Sequence, residues 1–238
     1  MGHLDEKRQL AAAFRWFARL DMNEGVANHF SLAVSDDGQK FLMNPVGKYW
    51  SKIKSSDILV LDARNEPENI CPVVDETAWC IHGAIHRKVP NARCVMHLHP
   101  RYSTALSCLK DPKLPALNQE SMMFFNRVSY DLEFGGLGVG DEGERIASKI
   151  GNNSILMMGQ HGILVIGSSV AETFNKMYYF ERAARIYITA LQTGKELIFS
   201  SDEIAEKTAQ QSENYSSDCH FNAVLDVLND EEPEYLNY

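Results

Sequence analysis

No C-x-x-C pair, no apolar run near the roughly 20 residues of a membrane span and no excess of basic residues occur in this 238-residue sequence. The five cysteines, Cys71, Cys80, Cys94, Cys108 and Cys219, are scattered and odd in number. A disulfide framework is therefore not expected, and a reducing compartment is. Lys and Arg total 23 against 32 Asp and Glu, a net charge of −9, which excludes general nucleic-acid binding because phosphates need a basic surface. The opening MGHLDEKRQLAAAFRWFARLD has neither the uncharged apolar run nor the small-residue cleavage site of a leader peptide. The expectation is a soluble, cytoplasmic protein without membrane or nucleic-acid partners, whose N-x-S matches at Asn152 and Asn214 are chance. Neither FGGLGVGDEG nor GQHGILVIG sets G-x-G-x-x-G between a strand and a helix, so a dinucleotide-binding fold is not expected. Repeats, linkers and composition shifts are also lacking, and 1–238 is expected to be a single domain.

With 45% hydrophobic residues, a chain this long can bury a core without staples. Leu10, Ala13, Phe14, Phe17 and Leu20 repeat at helical spacing before Gly25. Short β-type runs follow, HFSLAVSD, KFLMNP and DILVLDA, separated by turn chemistry. A second helix is predicted over 77–88, a strand in ARCVMHLH, a helix in YSTALSCLK and a strand in RVSYDLEF. GDEGERIASKIG reads as a short helix capped by Asp141, and NSILMMGQHGILVIG as two strands joined at a tight 159–162 turn. A long helix over 169–194, capped by Ser168 or Ser169, precedes a polar segment expected to be a flexible tail from about 212. Hairpin-like strands with helices inserted between them predict a mostly antiparallel sheet with helices on its faces.

His97 and His99 lie two apart in the ARCVMHLH strand, so both imidazoles leave one face of it. Alone, H-x-H is as readily an ordinary strand pair as a metal site. His161, framed by Gly159 and Gly162, tips the reading towards metal, because the glycines allow tight geometry that aims a third ring across the sheet. Three neutral nitrogens leave a coordination position for water or substrate, the catalytic rather than the structural pattern. Zinc, or another divalent first-row metal, suits such a set. His82 and His86 share a helix face four apart, as in H-E-x-x-H, but position 83 is glycine. They are read as one core histidine with a hydrogen bond and one surface histidine.

ANHFS (27–31), NPVGKYWSKIKSSDILVLD, TAWCIHGAIHRKVPNARCVMHLHP and GQHGILVIG with the helix after it together resemble the class II aldolase/adducin family. The matching pieces run in order along about four-fifths of the chain. The resemblance implies an α/β fold, a three-layer α/β/α sandwich with a central, mostly antiparallel sheet. It also implies zinc on His97, His99 and His161, and homotetramers with sites between subunits. The reaction it implies, as in fuculose-1-phosphate aldolase, makes or cleaves a C–C bond next to a carbonyl of a small hydroxy-carbonyl substrate, through a metal-stabilised enediolate. Decarboxylases, epimerases and the non-catalytic adducin head domain share the scaffold and stand as alternatives.

Compared with the sugar-phosphate aldolases the sequence departs in two places. The helix position of the family's proton-handling acid is Ala78, leaving Glu76 as the candidate catalytic acid and Glu120 as a weaker one; Glu76 is equally a first-turn acid that favours the helix dipole. The phosphate-binding positions read Glu76, Thr77 and Val46, and a carboxylate there would repel a phosphate. Asn28, His29, Gly47 and Thr77 remain as candidate substrate-binding residues, with Lys48 a further anion donor. Arg101 is read as a surface ion pair before a carboxylate clamp, and Tyr215 as a packing residue before a contributor to a neighbour's site.

Overall fold

The computed structural model describes residues 2–65, 73–133, 135–136 and 141–237. Period-two alternation builds its centre. In strands β1 (His29–Ala33) and β4 (Cys94–Leu98), Phe30, Leu32, Cys94, Met96 and Leu98 point to one side and join a core with helices α1 (Leu4–Arg19), α6 (Val170–Gln192) and α8 (Asp218–Glu231). Val95 points to the other side, where it packs with Ile81 and Ile85 of α2 (Glu76–Lys88) and Ile146 and Ile150 of α5 (Glu142–Ile150). His29, Ser31 and His97 share the parity of Val95. The site is thus built into the α2 side of the sheet.

Strands β2 (Lys40–Met43), β3 (Leu59–Asp62), β5 (Val128–Asp131), β6 (Ile155–Met158) and β7 (Gly162–Gly167) complete a seven-stranded sheet of order β3-β2-β1-β4-β7-β6-β5. All pairings are antiparallel except β5–β6, which α5 joins as a crossover and which therefore runs parallel. Helices cover both faces, so the expected three-layer α/β/α architecture is the observed one. Gly143 lets α5 lie against α2, since a Cβ there would sit 2.6 Å from the Cys80 carbonyl oxygen. Helices α3 (Arg101–Ser107), α4 (Gln119–Met122) and α7 (Asp202–Ser212) complete the α-helices among the described residues.

Ser169 caps α6, accepting from the Glu172 N–H at 3.1 Å. Asp141 stands at the head of α5 but makes no side-chain cap bond. Phe134, the end of the expected RVSYDLEF strand, the glycine-rich 137–140 and Cys71 lie outside the described residues. No described helix is long and apolar enough to cross a membrane.

The segment beyond 212 corrects an expectation. It is not a loose tail but α8 and a 3-10 turn, Pro233–Leu236. Phe221, Val224, Leu228 and Tyr235 are buried in the core of α1 and α6. Arg15, 2% exposed, donates to the Ile53 carbonyl at 2.8 Å, to Glu232 at 2.7 Å and to Glu234 at 3.2 Å. Apolar residues at 221, 224 and 228 keep helical spacing, a stripe that the acidic residues around them mask in overall composition.

Candidate metal centre

At the end of β4, beside its antiparallel partners β1 and β7, His97 faces the α2 side and is buried. Its Nδ1 lies 3.1 Å from the Ile163 carbonyl oxygen, which can only accept, so Nδ1 carries the proton. His99 turns its Nδ1 to the Glu24 carboxylate at 2.5 Å and is fixed in the same tautomer. Both rings, when neutral, then present bare Nε2 atoms, and these stand 3.0 Å apart. Two facing lone pairs at that distance repel each other unless a cation lies between them, so the residues fit a metal ion. The His161 ring centroid is 4.9 Å from that of His97 and 4.6 Å from that of His99. One ligand nitrogen from each of the three histidines falls within 4.8 Å of the others.

The turn that delivers His161 works differently from the reading of the sequence. The left-handed residue is Gln160, at φ 56°, not a flanking glycine. Its N–H is held by the Ser107 carbonyl at 3.0 Å. Gly162 is needed for room: a Cβ there would lie 2.5 Å from the Leu98 carbonyl oxygen and 2.7 Å from Cδ2 of His99. The absent side chain is what brings the third histidine against the other two.

Burial is the first cause holding His97 and His161 neutral. It pushes His97 well below the usual imidazole range, helped by neighbouring His29, His99 and His161. His161 is pushed down to about 4 by burial and then by His99. A neutral imidazole is the form that binds metal.

The remaining predicted residues divide. Asn28, left-handed at φ 70° and buried, accepts from the His99 backbone N–H at 3.4 Å. His29 pairs across the sheet with His97, ring centroids 5.1 Å apart. Gly47, at φ +76°, sits in an exposed loop tied to the approach to α2 by the Val46 N–H on the Val73 carbonyl. The half-buried Thr77 donates its hydroxyl to Asp75. Glu76 is exposed in the first turn of α2. The acid that feels His29 is its neighbour Asp75, the N-cap, whose carboxylate is lowered by its bonds to Thr77 and Ala78 and by His29, against burial. Lys48 is paired with Asp57, Glu120 accepts from Asn118, and Arg101 makes an exposed ion pair with Asp21 at 3.3 Å. Tyr215 is 81% exposed. The surface position expected for one of His82 and His86 is not found, because both are buried and both hydrogen-bonded. Sequence reasoning missed Asp75, visible as the acid three before Ala78 where a cap belongs, and Glu24, for which spacing gave no signal.

Residues 8–188 match the model of the class II aldolase and adducin N-terminal domain. An adducin-related protein of Schizosaccharomyces pombe is 32% identical over 213 residues, 84% of this chain and 64% of its own length. Decarboxylase NovR of Streptomyces niveus is 31% identical over 163 residues, 67% of this chain and 60% of its own. Among solved structures, an aldolase II superfamily protein from Pseudomonas syringae superimposes with a TM-score of 0.88 at 27% identity, covering 98% of this chain and 96% of that one. L-fuculose 1-phosphate aldolase from Glaciozyma antarctica shares the fold, with a TM-score of 0.81 at 21% identity over 99% and 95% of the two chains. A family match over most of the chain, on the fold and histidines described, places this protein in the class II aldolase and adducin family.

Proposed function

We propose that this protein is a divalent-metal-dependent lyase, with zinc on His97, His99 and His161, that makes or breaks a carbon–carbon bond next to the carbonyl of a small hydroxy-carbonyl substrate. The observation that carries the reading is the pair of Nε2 atoms 3.0 Å apart, each left bare because its own Nδ1 is committed to an acceptor. When bound, the ion would supply Lewis acidity to substrate oxygens. The chain does the rest. Glu24 and the Ile163 carbonyl hold the ligand tautomers. Asn28 fixes the backbone of His99. Proton handling falls to His29 and Asp75, in place of Glu76 and of the missing acid at Ala78.

An unphosphorylated substrate fits best. The head of α2 is where backbone N–H groups would receive a phosphate. Here Asp75 already accepts from the Ala78 N–H at 3.0 Å and from Thr77, and Lys48 is spent on Asp57. A second carboxylate, Glu76, adds repulsion. We further propose a homotetramer with sites completed between subunits, as the family resemblance implies.

The likeness to decarboxylase NovR favours a second reading, decarboxylation at the same centre, which makes a similar carbanion without the acid that Ala78 replaces. A non-catalytic module of the adducin kind has no need of three converging ligands. Incubating zinc-loaded protein with free ketoses, ketose phosphates and 2-hydroxy acids separates the readings. Aldehyde release from an unphosphorylated ketose is expected, carbon dioxide release would shift the assignment to the decarboxylase, and turnover of ketose phosphates alone would overturn the substrate class.

A further inference from the structure

A line of buried polar groups runs away from the candidate metal centre between β1 and α2, starting at His29 beside His97. Nδ1 of His29 lies 2.6 Å from Nε2 of His82. Nδ1 of His82 lies 2.5 Å from the Ser31 hydroxyl, and that hydroxyl lies 2.7 Å from Nε2 of His86. Nδ1 of His86 ends the line on the Ala92 carbonyl oxygen at 2.7 Å. All four side chains are buried, Ser31 and His82 completely. Such a chain has a direction, and its far end sets it.

The Ala92 carbonyl can only accept, so His86 donates from Nδ1. A neutral His86 then has a bare Nε2, which must accept the one hydroxyl proton of Ser31. With its proton so committed, Ser31 can only accept from His82, which therefore carries hydrogen on Nδ1 and none on Nε2. His82 in turn accepts from His29. Burial favours the neutral rings this requires: it pushes His86 down to about 4 and His82 well below the usual imidazole range, and no carboxylate takes part in the chain's bonds to oppose it.

We propose that His82, Ser31 and His86 are positioning residues that lock His29 as its Nδ1–H tautomer, and so present its bare Nε2 as the hydrogen-bond acceptor beside His97. The bland alternative is three core groups that merely satisfy one another, which would leave the tautomer of His29 undirected. One-way directionality separates the two. A carbonyl end also makes this a tautomer lock rather than a conduit, because the Ala92 oxygen accepts a hydrogen bond and passes no proton on. The catalytic use of the acceptor rests on the lyase reading; the tautomer itself does not.

The test is long-range 1H–15N correlation on histidine-labelled full-length protein, with metal removed by chelator, using His29→Asn to identify the His29 signals. The expected result is a single neutral tautomer at His29, His82 and His86, protonated at Nδ1 in each. Ser31→Ala, which cuts the line, is expected to lose that single pattern at His82 and His29 while leaving His86 on Ala92. Ser31→Thr, which keeps a hydroxyl, is expected to retain it. An Nε2-protonated or mixed His29 in the wild-type protein overturns the proposal, even if neither Ser31 variant folds. An unchanged His29 pattern in a folded Ser31→Ala protein overturns it as well. Zinc binding alongside an Nε2-protonated His29 in the chelated protein would sink the lock and leave the lyase reading standing. The opposite pair of results would do the reverse.

Discussion

Glu24 holds His99 from a loop 75 residues away in sequence, and nothing in local spacing announces it. His97 and His99 were legible because a strand returns to the same face every second residue, and His161 because glycines bracket it. The acid at the head of α2 was legible only in part. Glu76 looked like the candidate, whereas capping geometry turns Asp75 into the one that feels His29. Glu24→Gln tests the support of the centre: loss of the carboxylate that orients His99 is expected to weaken metal affinity by about 10–100-fold, read by competition with a chromogenic chelator. Affinity within twofold of wild type would show that this carboxylate does not matter.

The depressed histidines also fix a pH dependence. For a group with folded pKa below its unfolded value, the folded state binds fewer protons in the interval between them. His29 and His86, pushed down to about 4 by burial, thus contribute stability that is present above about 6.5 and lost as pH falls through about 4. Denaturant titration of chelated protein should show stability falling between those limits, each such histidine adding about 1.4 kcal/mol per pH unit to the slope. Stability that is flat from pH 6.5 to 4.5 would contradict the buried, neutral assignment.

Among the secondary-structure elements, those with strong periodicity were readable from the residues. These are α1, α6, and the strands that carry the two faces of the sheet. Of the helices that escaped, α4, α7 and α8, the most consequential is α8. Its buried stripe of Phe221, Val224 and Leu228 is three residues among many acids, and its anchor, the buried Arg15 with Glu232 and Glu234, joins residues more than 200 apart. Tertiary packing, not composition, decides that helix. Leu228→Ala is accordingly expected to cost about 2–5 kcal/mol of unfolding free energy, whereas a loose tail would tolerate it. Chemical denaturation distinguishes the two, and a change under about 0.5 kcal/mol would mean that α8 is not part of the core.

Taken whole, the molecule is a sheet whose two faces have different duties. One face is filled by Phe30, Leu32, Met96 and Leu98 against α1, α6 and α8. The other trades apolar packing at its β1–β4 end for His29, Ser31, His82, His86 and His97. The α/β/α layering followed from the order of strands and helices, because adjacent antiparallel strands need only short turns. The parallel β5–β6 pair was not foreseen, since a short crossover helix and a hairpin-type connection look alike until register is known.

The proposed chemistry depends on one ion held by His97, His99 and His161. Elemental analysis of protein purified without added metal or chelator, beside a folded His97→Ala variant, tests that directly. About one zinc per chain is expected in the wild-type protein, and its loss in the variant. No metal in the wild-type protein, and none taken up on titration with zinc, would contradict the proposed chemistry.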